Sequence, residues 1–407
     1  MKIGIVTYWN SNDNYGQQLQ YFATQTFLKA LGHEAFLVRY VPQHKRKHKN
    51  IFKQITKLFK PTYLKYAISI FTTPIKNKFI NTFYQNHYID RKFEIFRNKY
   101  FNATCLYSEK ELYINPPRAD LFLCGSDQIW CGAGNDKIYF LDFTELPKIA
   151  WSCSFGRNLS SLSELEKSQT SSLIKKFKHI TVRENEAIKI CNALGRNDVE
   201  LMCDPTLLNS IDKYLDIIDT SIDTENSAFV YYLGHKTYIS DNQIYKYFKR
   251  SGIKTIFTSS QGIINRIPKT FPTIEEWLGC IKNASFVVTN SFHGTIFCLL
   301  FNKNFAVIPL KIEGANTRIT TLLNSIGLEN RICRTISELD SEFGASPNLK
   351  NEVSFGSAAS FSLYFSSIAT NSGELPSINA FFSRTISIYG VSVSQLSYPT
   401  LKVLFQS

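Results

Sequence analysis

No stretch of this 407-residue chain is long and apolar enough to span a bilayer. The best candidate, Tyr66–Ile75, is bounded by Lys65 and Lys76 and falls well short of the ~20 residues a spanning helix needs. The nine cysteines include no Cys-x-x-Cys pair, and Cys124, Cys153 and Cys298 lie inside apolar runs. Both features point to reduced, buried thiols rather than to a disulfide scaffold or a thiol-metal site. The seven histidines are scattered, and the pair His44 and His48 sits among lysines that repel a cation, so no metal site is expected. A Gly-x-Ser-x-Gly elbow is missing, which leaves an acyl-transfer hydrolase without support. Acidic residues are the scarcer charge, 33 Asp+Glu against 46 Lys+Arg, and an excess of +13 favours an anionic partner.

Hydrophobic residues make up 44% of the chain, with 32 Phe and 21 Tyr, enough to fill more than one core. Met1–Tyr8, with one basic residue and a short apolar run, reads as a first strand and not as a signal peptide. The charge excess is local. Residues 44–100 carry 14 Lys+Arg and only Asp90 and Glu94, a net of +12, interleaved with Phe52, Phe59, Tyr63 and Tyr66. Such text suits a surface lying on an anionic membrane. Nucleic acid asks for the same cations, but no recognised binding module accompanies them, so a nucleic-acid partner is not expected. A solvated insertion is the plain alternative.

Apolar runs alternate with helical patterns, the signature of parallel α/β units. Strands are expected at Lys2–Tyr8, Glu34–Tyr40, Leu121–Cys124, Ile149–Ser154 and Ile180–Val182, with helices at Gln17–Leu31, Ser163–Phe177 and Glu184–Leu194. A second series follows, with strands Ala228–Leu233, Lys254–Thr258, Phe286–Thr289 and Phe305–Ile308 and helices Asn242–Arg250, Ile274–Lys282 and one from Gly294. The expected division is an N-terminal Rossmann-like lobe over 1–210, a C-terminal one over 211–340 and a tail over 341–407. From Val353 onward the chain holds 14 Ser but only Glu374, Arg384 and Lys402 as charges, and no function is assigned to it.

Three strand-to-helix turns hold the chemistry. Asn12-Asp13-Asn14-Tyr15-Gly16 precedes the first helix, where free N–H groups and the helix dipole favour an anion. It is neither a Walker loop nor a three-glycine dinucleotide turn. Gly125-Ser126-Asp127-Gln128-Ile129-Trp130 places a carboxylate at a strand's carboxyl end, where it can take a proton from a sugar hydroxyl, beside an indole that can form a sugar platform or join the core. Asn290-Ser291-Phe292-His293-Gly294-Thr295 combines hydroxyls, a helix start and an imidazole, a phosphate site containing an acid. Arg183 and Arg318 can each clamp a carboxylate or phosphate, or serve as ordinary ion pairs.

In order along the chain, Asn14-Tyr15-Gly16-x-x-Leu19-Gln20, Gly125-Ser126-Asp127-Gln128-x-Trp130, Val182-Arg183-Glu184, Asp204-Pro205-Thr206, Thr289–Thr295 and Arg318-Ile319 resemble the polysaccharide pyruvyl transferase family. The resemblance covers residues 1–335. It implies two Rossmann-like lobes in a GT-B-like arrangement with a cleft between them. The implied reaction moves the pyruvyl group of phosphoenolpyruvate onto a sugar of a bacterial capsular or exopolysaccharide unit, forming a ketal and requiring no other cofactor. The roles it implies are His293 as acid and Asp127 as base, with the donor held by Arg183, Arg318, Asn290, Ser291, Gly294 and Thr295. The acceptor is expected on Asn14, Tyr15, Gly16, Gln20, Ser126, Gln128 and Trp130. That acceptor is expected on a polyprenyl diphosphate, which would place the protein in the cytoplasm at the inner face of the membrane, docked through 44–100. Where several members carry Arg-Leu-His, this chain has Ser291-Phe292-His293. A GT-B glycosyltransferase using a nucleotide sugar is the rival reading, and a catalytically silent assembly protein is a more distant one.

Overall fold

The computed structural model describes residues 1–42, 90–233, 236–259, 267–312 and 314–344. The expectations for the basic insertion over 43–89 and for the tail beyond 344 lie outside the described residues. Residues 1–41 and 91–407 group as one compact unit, and 42–90 group as another.

Two parallel sheets build the larger unit. The first has seven strands: β1 (Lys2–Val6), β2 (Glu34–Tyr40), β3 (Ala103–Tyr107), β4 (Leu121–Asp127), β5 (Lys148–Cys153), β6 (His179–Val182) and β7 (Glu200–Leu201). They run in the order β3-β2-β1-β4-β5-β6-β7. The second sheet orders β11 (Phe305–Val307), β10 (Phe286–Thr289), β8 (Ser227–Tyr232) and β9 (Lys254–Ser259) side by side. Every residue of β4, β5 and β8 is buried, because helices cover both faces of a parallel sheet, and such strands read as unbroken apolar runs. The helices are α1 (Tyr15–Ala30), α2 (Phe93–Tyr100), α3 (Glu109–Ile114), α4 (Glu164–Ile174), α5 (Asn185–Ala193), α6 (Asp212–Leu215), α7 (Asp241–Arg250), α8 (Ile274–Asn283), α9 (Phe292–Leu300), α10 (Thr317–Ser325) and α11 (Ile336–Gly344).

Two strands escaped the sequence pattern. β3 is an edge strand with Leu106 57% exposed and no apolar alternation, and β7 is two residues long. Three boundaries also move in ways that matter. β4 runs on through Asp127 instead of stopping at Cys124. α1 begins at Tyr15, with the Asn14 side chain accepting from the Gln17 N–H. α9 begins at Phe292 with Ser291 as its cap, so His293 stands within the first helical turn and not ahead of it.

α1 is buried from Tyr15 through Gln25, between the first sheet and the helices of the second. Its glutamines survive burial because each finds a partner. Gln18 Nε2 donates to the Trp9 carbonyl (2.7 Å), Gln20 Nε2 to Thr7 Oγ1 (2.9 Å) and Gln25 Nε2 to the Tyr100 carbonyl (2.9 Å). One apolar cluster runs from α1 into the second sheet. At its centre Tyr15 stacks on Trp277 with ring centroids 5.0 Å apart and meets Tyr231 edge-on at 5.4 Å.

Candidate active site

The carboxyl ends of the two sheets meet at Asp204. This residue follows β7 and caps the turn Pro205–Leu207, its Oδ1 accepting from the Thr206 N–H (3.1 Å) and hydroxyl (2.8 Å). Its Oδ2 accepts from Ser126 Oγ (2.6 Å) and an Arg183 terminal nitrogen (2.7 Å), and lies 3.6 Å from His293 Nε2. Burial pushes the carboxyl pKa up, but His293, Arg183 and Ser126 together outweigh it and hold the group well below the carboxylate range.

Arg183 leaves the end of β6 and spans two carboxylates. Its other terminal nitrogen donates to Asp127 Oδ1 at 3.1 Å. Burial disfavours its charge, yet Asp204 and Asp127 more than offset that and raise its pKa. Asp127 has φ +83°, a left-handed conformation uncommon outside glycine and tolerated by aspartate. Its Oδ1 also accepts from the Gln128 N–H at 2.7 Å. No hydrogen bond reaches Oδ2 among the described residues, which leaves that oxygen able to accept a hydroxyl proton.

His293 enters from the other sheet, on the first turn of α9. Its Nδ1 edge lies against α1 at Gly16, where an added Cβ would stand 2.2 Å from Nδ1. Glycine is required there for the two helices to approach. The buried Nε2 has no hydrogen-bond partner among the described residues; 3.6 Å to Asp204 is an ion-pair separation and not a hydrogen bond. An unsatisfied buried imidazole nitrogen flanked by a carboxylate and a helix N-terminus is placed to exchange a proton with a bound molecule.

Two guanidinium groups converge on the Phe292 ring, Arg183 at 4.8 Å and Arg318 at 5.5 Å from its centroid. Arg183 has two carboxylates, whereas no hydrogen bond or ion pair reaches Arg318 among the described residues, and its Nε is buried without a partner. Burial and the charge of Arg183 pull the Arg318 pKa down to about 10, despite Glu184, Asp127 and Asp204. Glu184 accepts from Ser154 Oγ (2.7 Å) and the Phe155 N–H (3.2 Å) through Oε1, and its Oε2 has no partner among the described residues. Burial raises its pKa, more than Arg183 and Arg318 lower it. Beside these groups opens a cleft of about 680 Å³, with Asn185, Glu186 and Lys189 on one wall and Tyr238, Asn316 and Thr317 on the other.

Asp127, Arg183, Ser126 and His293 are therefore drawn together, with Arg318 close by across the Phe292 ring, but several expected contacts are corrected. Trp130 is wholly buried, stacked on Phe140 at 5.1 Å and donating to the Tyr139 carbonyl, so it offers no face to a sugar. Tyr15 is equally buried and its hydroxyl donates to the Pro272 carbonyl at 2.8 Å; it joins the two sheets. Gly16 makes room for His293, Gln20 is buried under Thr7, and Ser126 orients Asp204. Of the residues expected to meet the acceptor, only Asn14 and Gln128 remain partly exposed. On the donor side, Ser291 Oγ accepts from the Gly294 N–H (3.2 Å), Thr295 Oγ1 donates to the Ser291 carbonyl (3.0 Å), and Asn290 exchanges two hydrogen bonds with the Leu233 backbone. These four residues, Asn290, Ser291, Gly294 and Thr295, build the turn that presents His293. Asp204 and Glu184 were missed as functional groups, although both stand in the quoted motifs. Among the described residues no group of three or more His, Cys, Asp or Glu is placed to hold a metal ion.

Parallel α/β sheets thus meet at their carboxyl edges around a buried imidazole, carboxylates and two arginines. The sequence profile of polysaccharide pyruvyl transferases matches residues 14–311, well over half of the chain. The chain belongs to the polysaccharide pyruvyl transferase family, and is thus a transferase of polysaccharide pyruvylation. Among curated proteins, none matches the chain significantly. Similar solved structures include the UDP-GlcNAc 2-epimerase of Methanocaldococcus jannaschii in complex with UDP-GlcNAc and UDP, at 10% identity and TM-score 0.45 over 90% of this chain and all of that one. The UDP-GlcNAc 2-epimerase of Neisseria meningitidis bound to UDP-GlcNAc is similar at 11% identity and TM-score 0.44, over 91% of this chain and 100% of that one. A heptosyltransferase of E. coli with ADP gives 12% identity and TM-score 0.34, over 75% and 87%.

Proposed function

We propose that the enzyme takes its pyruvyl group from phosphoenolpyruvate and forms a cyclic ketal on a sugar of a bacterial surface polysaccharide unit. The observation that carries this reading is Arg318, a buried guanidinium that no hydrogen bond or ion pair reaches among the described residues, across the Phe292 ring from Arg183 and beside an acid. A small, strongly anionic donor supplies what that arrangement lacks. The donor's carboxylate and phosphate lie on Arg318 and Arg183, and the 680 Å³ cleft comes near them through Asn185 and Thr317, their neighbours along the chain. The acceptor approaches from the side of Asn14, Asp127 and Gln128.

In the first step a sugar hydroxyl attacks C2, its proton passing to Asp127 Oδ2, while His293 gives a proton to the methylene carbon and makes it a methyl. Phosphate then leaves with the C–O electron pair, and the oxocarbenium-like centre is captured by a second hydroxyl of the same sugar, whose proton departs. One phosphate is released per ketal formed, with no change of oxidation state. Arg318→Gln should weaken phosphoenolpyruvate binding at least tenfold in a calorimetric titration while leaving the melting temperature near that of wild type. Unchanged affinity, or a preference for a UDP- or GDP-sugar, would move the assignment to a nucleotide-sugar glycosyltransferase.

The acceptor is carried, in this reading, on a polyprenyl diphosphate at the inner face of the cytoplasmic membrane. No helix among the described residues is long and apolar enough to cross a membrane, and the net +12 of residues 44–100 supports peripheral docking on anionic lipid. Flotation should recover the protein with anionic vesicles, less so at high salt and after Lys/Arg→Glu changes over 45–60. Equal recovery with neutral vesicles contradicts docking by charge.

A further inference from the structure

Trp130 supplies no sugar platform, but the first sheet offers another ring one strand from Asp127. Thr7 and Tyr8 leave the carboxyl end of β1, which lies between β2 and β4. Val6 is level with Cys124, so two residues on Tyr8 stands level with Ser126, beside the strand end that carries Asp127. Neighbouring strands lie about 5 Å apart. Beyond the last pair the register is held by Thr7 Oγ1, which donates to the Ser126 carbonyl at 2.9 Å. Gln20 fixes the same stretch from α1, its Nε2 donating to Thr7 Oγ1 (2.9 Å) and reaching the Tyr8 carbonyl (3.5 Å). Gln20, sealed from any acceptor, thus places the residue next to Asp127.

The Tyr8 ring is packed from the protein side. It meets Tyr139 edge-on, with centroids 4.8 Å apart and planes at 80°, and rests on the core cluster that contains Trp130. Its hydroxyl lies 3.5 Å from Cys131 Sγ. Cys131 belongs to the turn that follows Asp127, its N–H donating to the Gln128 carbonyl at 3.1 Å. Burial, then Cys131, then Asp127 and Asp136 push the phenol's pKa up, so the hydroxyl stays neutral. Trp9, Tyr40, Trp130, Tyr139 and Phe155 around the same edge are buried. Tyr8, Asn14, Gln128 and Cys131 each keep part of their surface in solvent, and Asn10 and Asn12 are exposed. An aromatic ring rimmed by amides, next to a carboxylate, has the chemistry to hold a pyranose: C–H groups meet the ring and hydroxyls meet the amides.

We propose that Tyr8 is the platform for the acceptor sugar and that Cys131 forms the rim of the same subsite. The inference rests on the sugar-acceptor reading above and adds a specificity-determining residue to it. A pyranose seated on Tyr8 presents its hydroxyls to Asp127 Oδ2, the oxygen that no hydrogen bond reaches among the described residues. The ring sets which face of the sugar lies down, and so which hydroxyls stand beside the base.

The test uses the full chain and a lipid-linked saccharide fraction, with phosphate release from phosphoenolpyruvate as the rate. Tyr8→Leu keeps apolar packing against Tyr139 and removes the flat ring. It should raise the saccharide concentration for half-maximal rate about tenfold, with phosphoenolpyruvate affinity and the melting temperature near wild type. Tyr8→Phe should stay within a few-fold of wild type. Unchanged saccharide dependence in Tyr8→Leu, affinities for both substrates falling together, or equal loss in the Leu and Phe variants overturns the platform. A second readout needs no donor. Cys105 is exposed, Cys131 partly exposed and the other seven cysteines buried, so Cys105→Ser leaves Cys131 as the target of methyl methanethiosulfonate. The reagent's thiomethyl group joins Sγ in a mixed disulfide, methanesulfinate leaves, and dithiothreitol reverses the change. The saccharide fraction should slow that labelling, and phosphoenolpyruvate alone should not. Labelling that ignores the saccharide overturns the proposal even where pyruvyl transfer holds. The donor reading fails separately, through phosphoenolpyruvate affinity that ignores Arg318.

Discussion

His293→Ala should reduce turnover about 10²–10⁴-fold, the range a positioned general acid contributes, in a protein that remains folded. The imidazole makes no hydrogen bond through Nε2 among the described residues, and Ser126 and Arg183 still hold Asp204 once it is removed. Gly16→Ala should reproduce much of that loss without touching a reacting group. Its methyl would stand 2.2 Å from Nδ1 and 2.4 Å from Cγ of His293, and the ring must leave its place beside Asp204. The kinetic signature separates position from binding: kcat should fall in both variants while the affinity for phosphoenolpyruvate holds. A fall in kcat below tenfold for His293→Ala would remove the residue from the chemistry.

Asp204→Asn should cost about 3–5 kcal/mol of folding stability at neutral pH, the usual result of removing one partner from a buried ion pair. The side chain is fully buried and serves Ser126, Arg183, His293 and Thr206 at once. The pH dependence carries a sign. The folded pKa lies below the unfolded value of about 3.9, so the stabilisation is fully present above that value and is lost as pH falls toward the folded one. The gap between wild type and Asp204→Asn in urea unfolding should therefore be widest near pH 7 and narrow below about pH 4. A gap that stays constant across that range would show that shape, and not charge, makes Asp204 necessary.

The parallel strands were legible because burial on both faces writes them as apolar runs, and Asp127, Arg183 and His293 stood out as candidates because each lies at or just beyond a strand's carboxyl end, whereas Arg318 lies on α10. What escaped depends on facts a single sequence does not carry. Trp130 and Tyr15 lie in motifs beside reactive residues, and the same text serves a platform or a core; the partners that decided it, Phe140 and Trp277, lie ten and 262 residues away. Gly16 looked like part of an anion turn because the approach of His293 from the second sheet is a tertiary event. Asp204 read as a turn because Asp-Pro is a common one, and its second oxygen reaches Ser126, Arg183 and His293 only when both sheets are assembled. The hydroxyls of Ser291 and Thr295 were plausible phosphate ligands until the helix started two residues early, with Ser291 as its cap and Thr295 bonded back to the Ser291 carbonyl.

Pyruvyl transfer is tested most directly by incubating the enzyme with phosphoenolpyruvate labelled with ¹³C at C2 and a lipid-linked saccharide fraction, then following the label by NMR together with free phosphate. The account predicts a quaternary ketal carbon in the saccharide, one phosphate released for each ketal, and both products formed about 10²–10⁴-fold more slowly with His293→Ala. Label that remains in phosphoenolpyruvate while an added nucleotide sugar is consumed would contradict it.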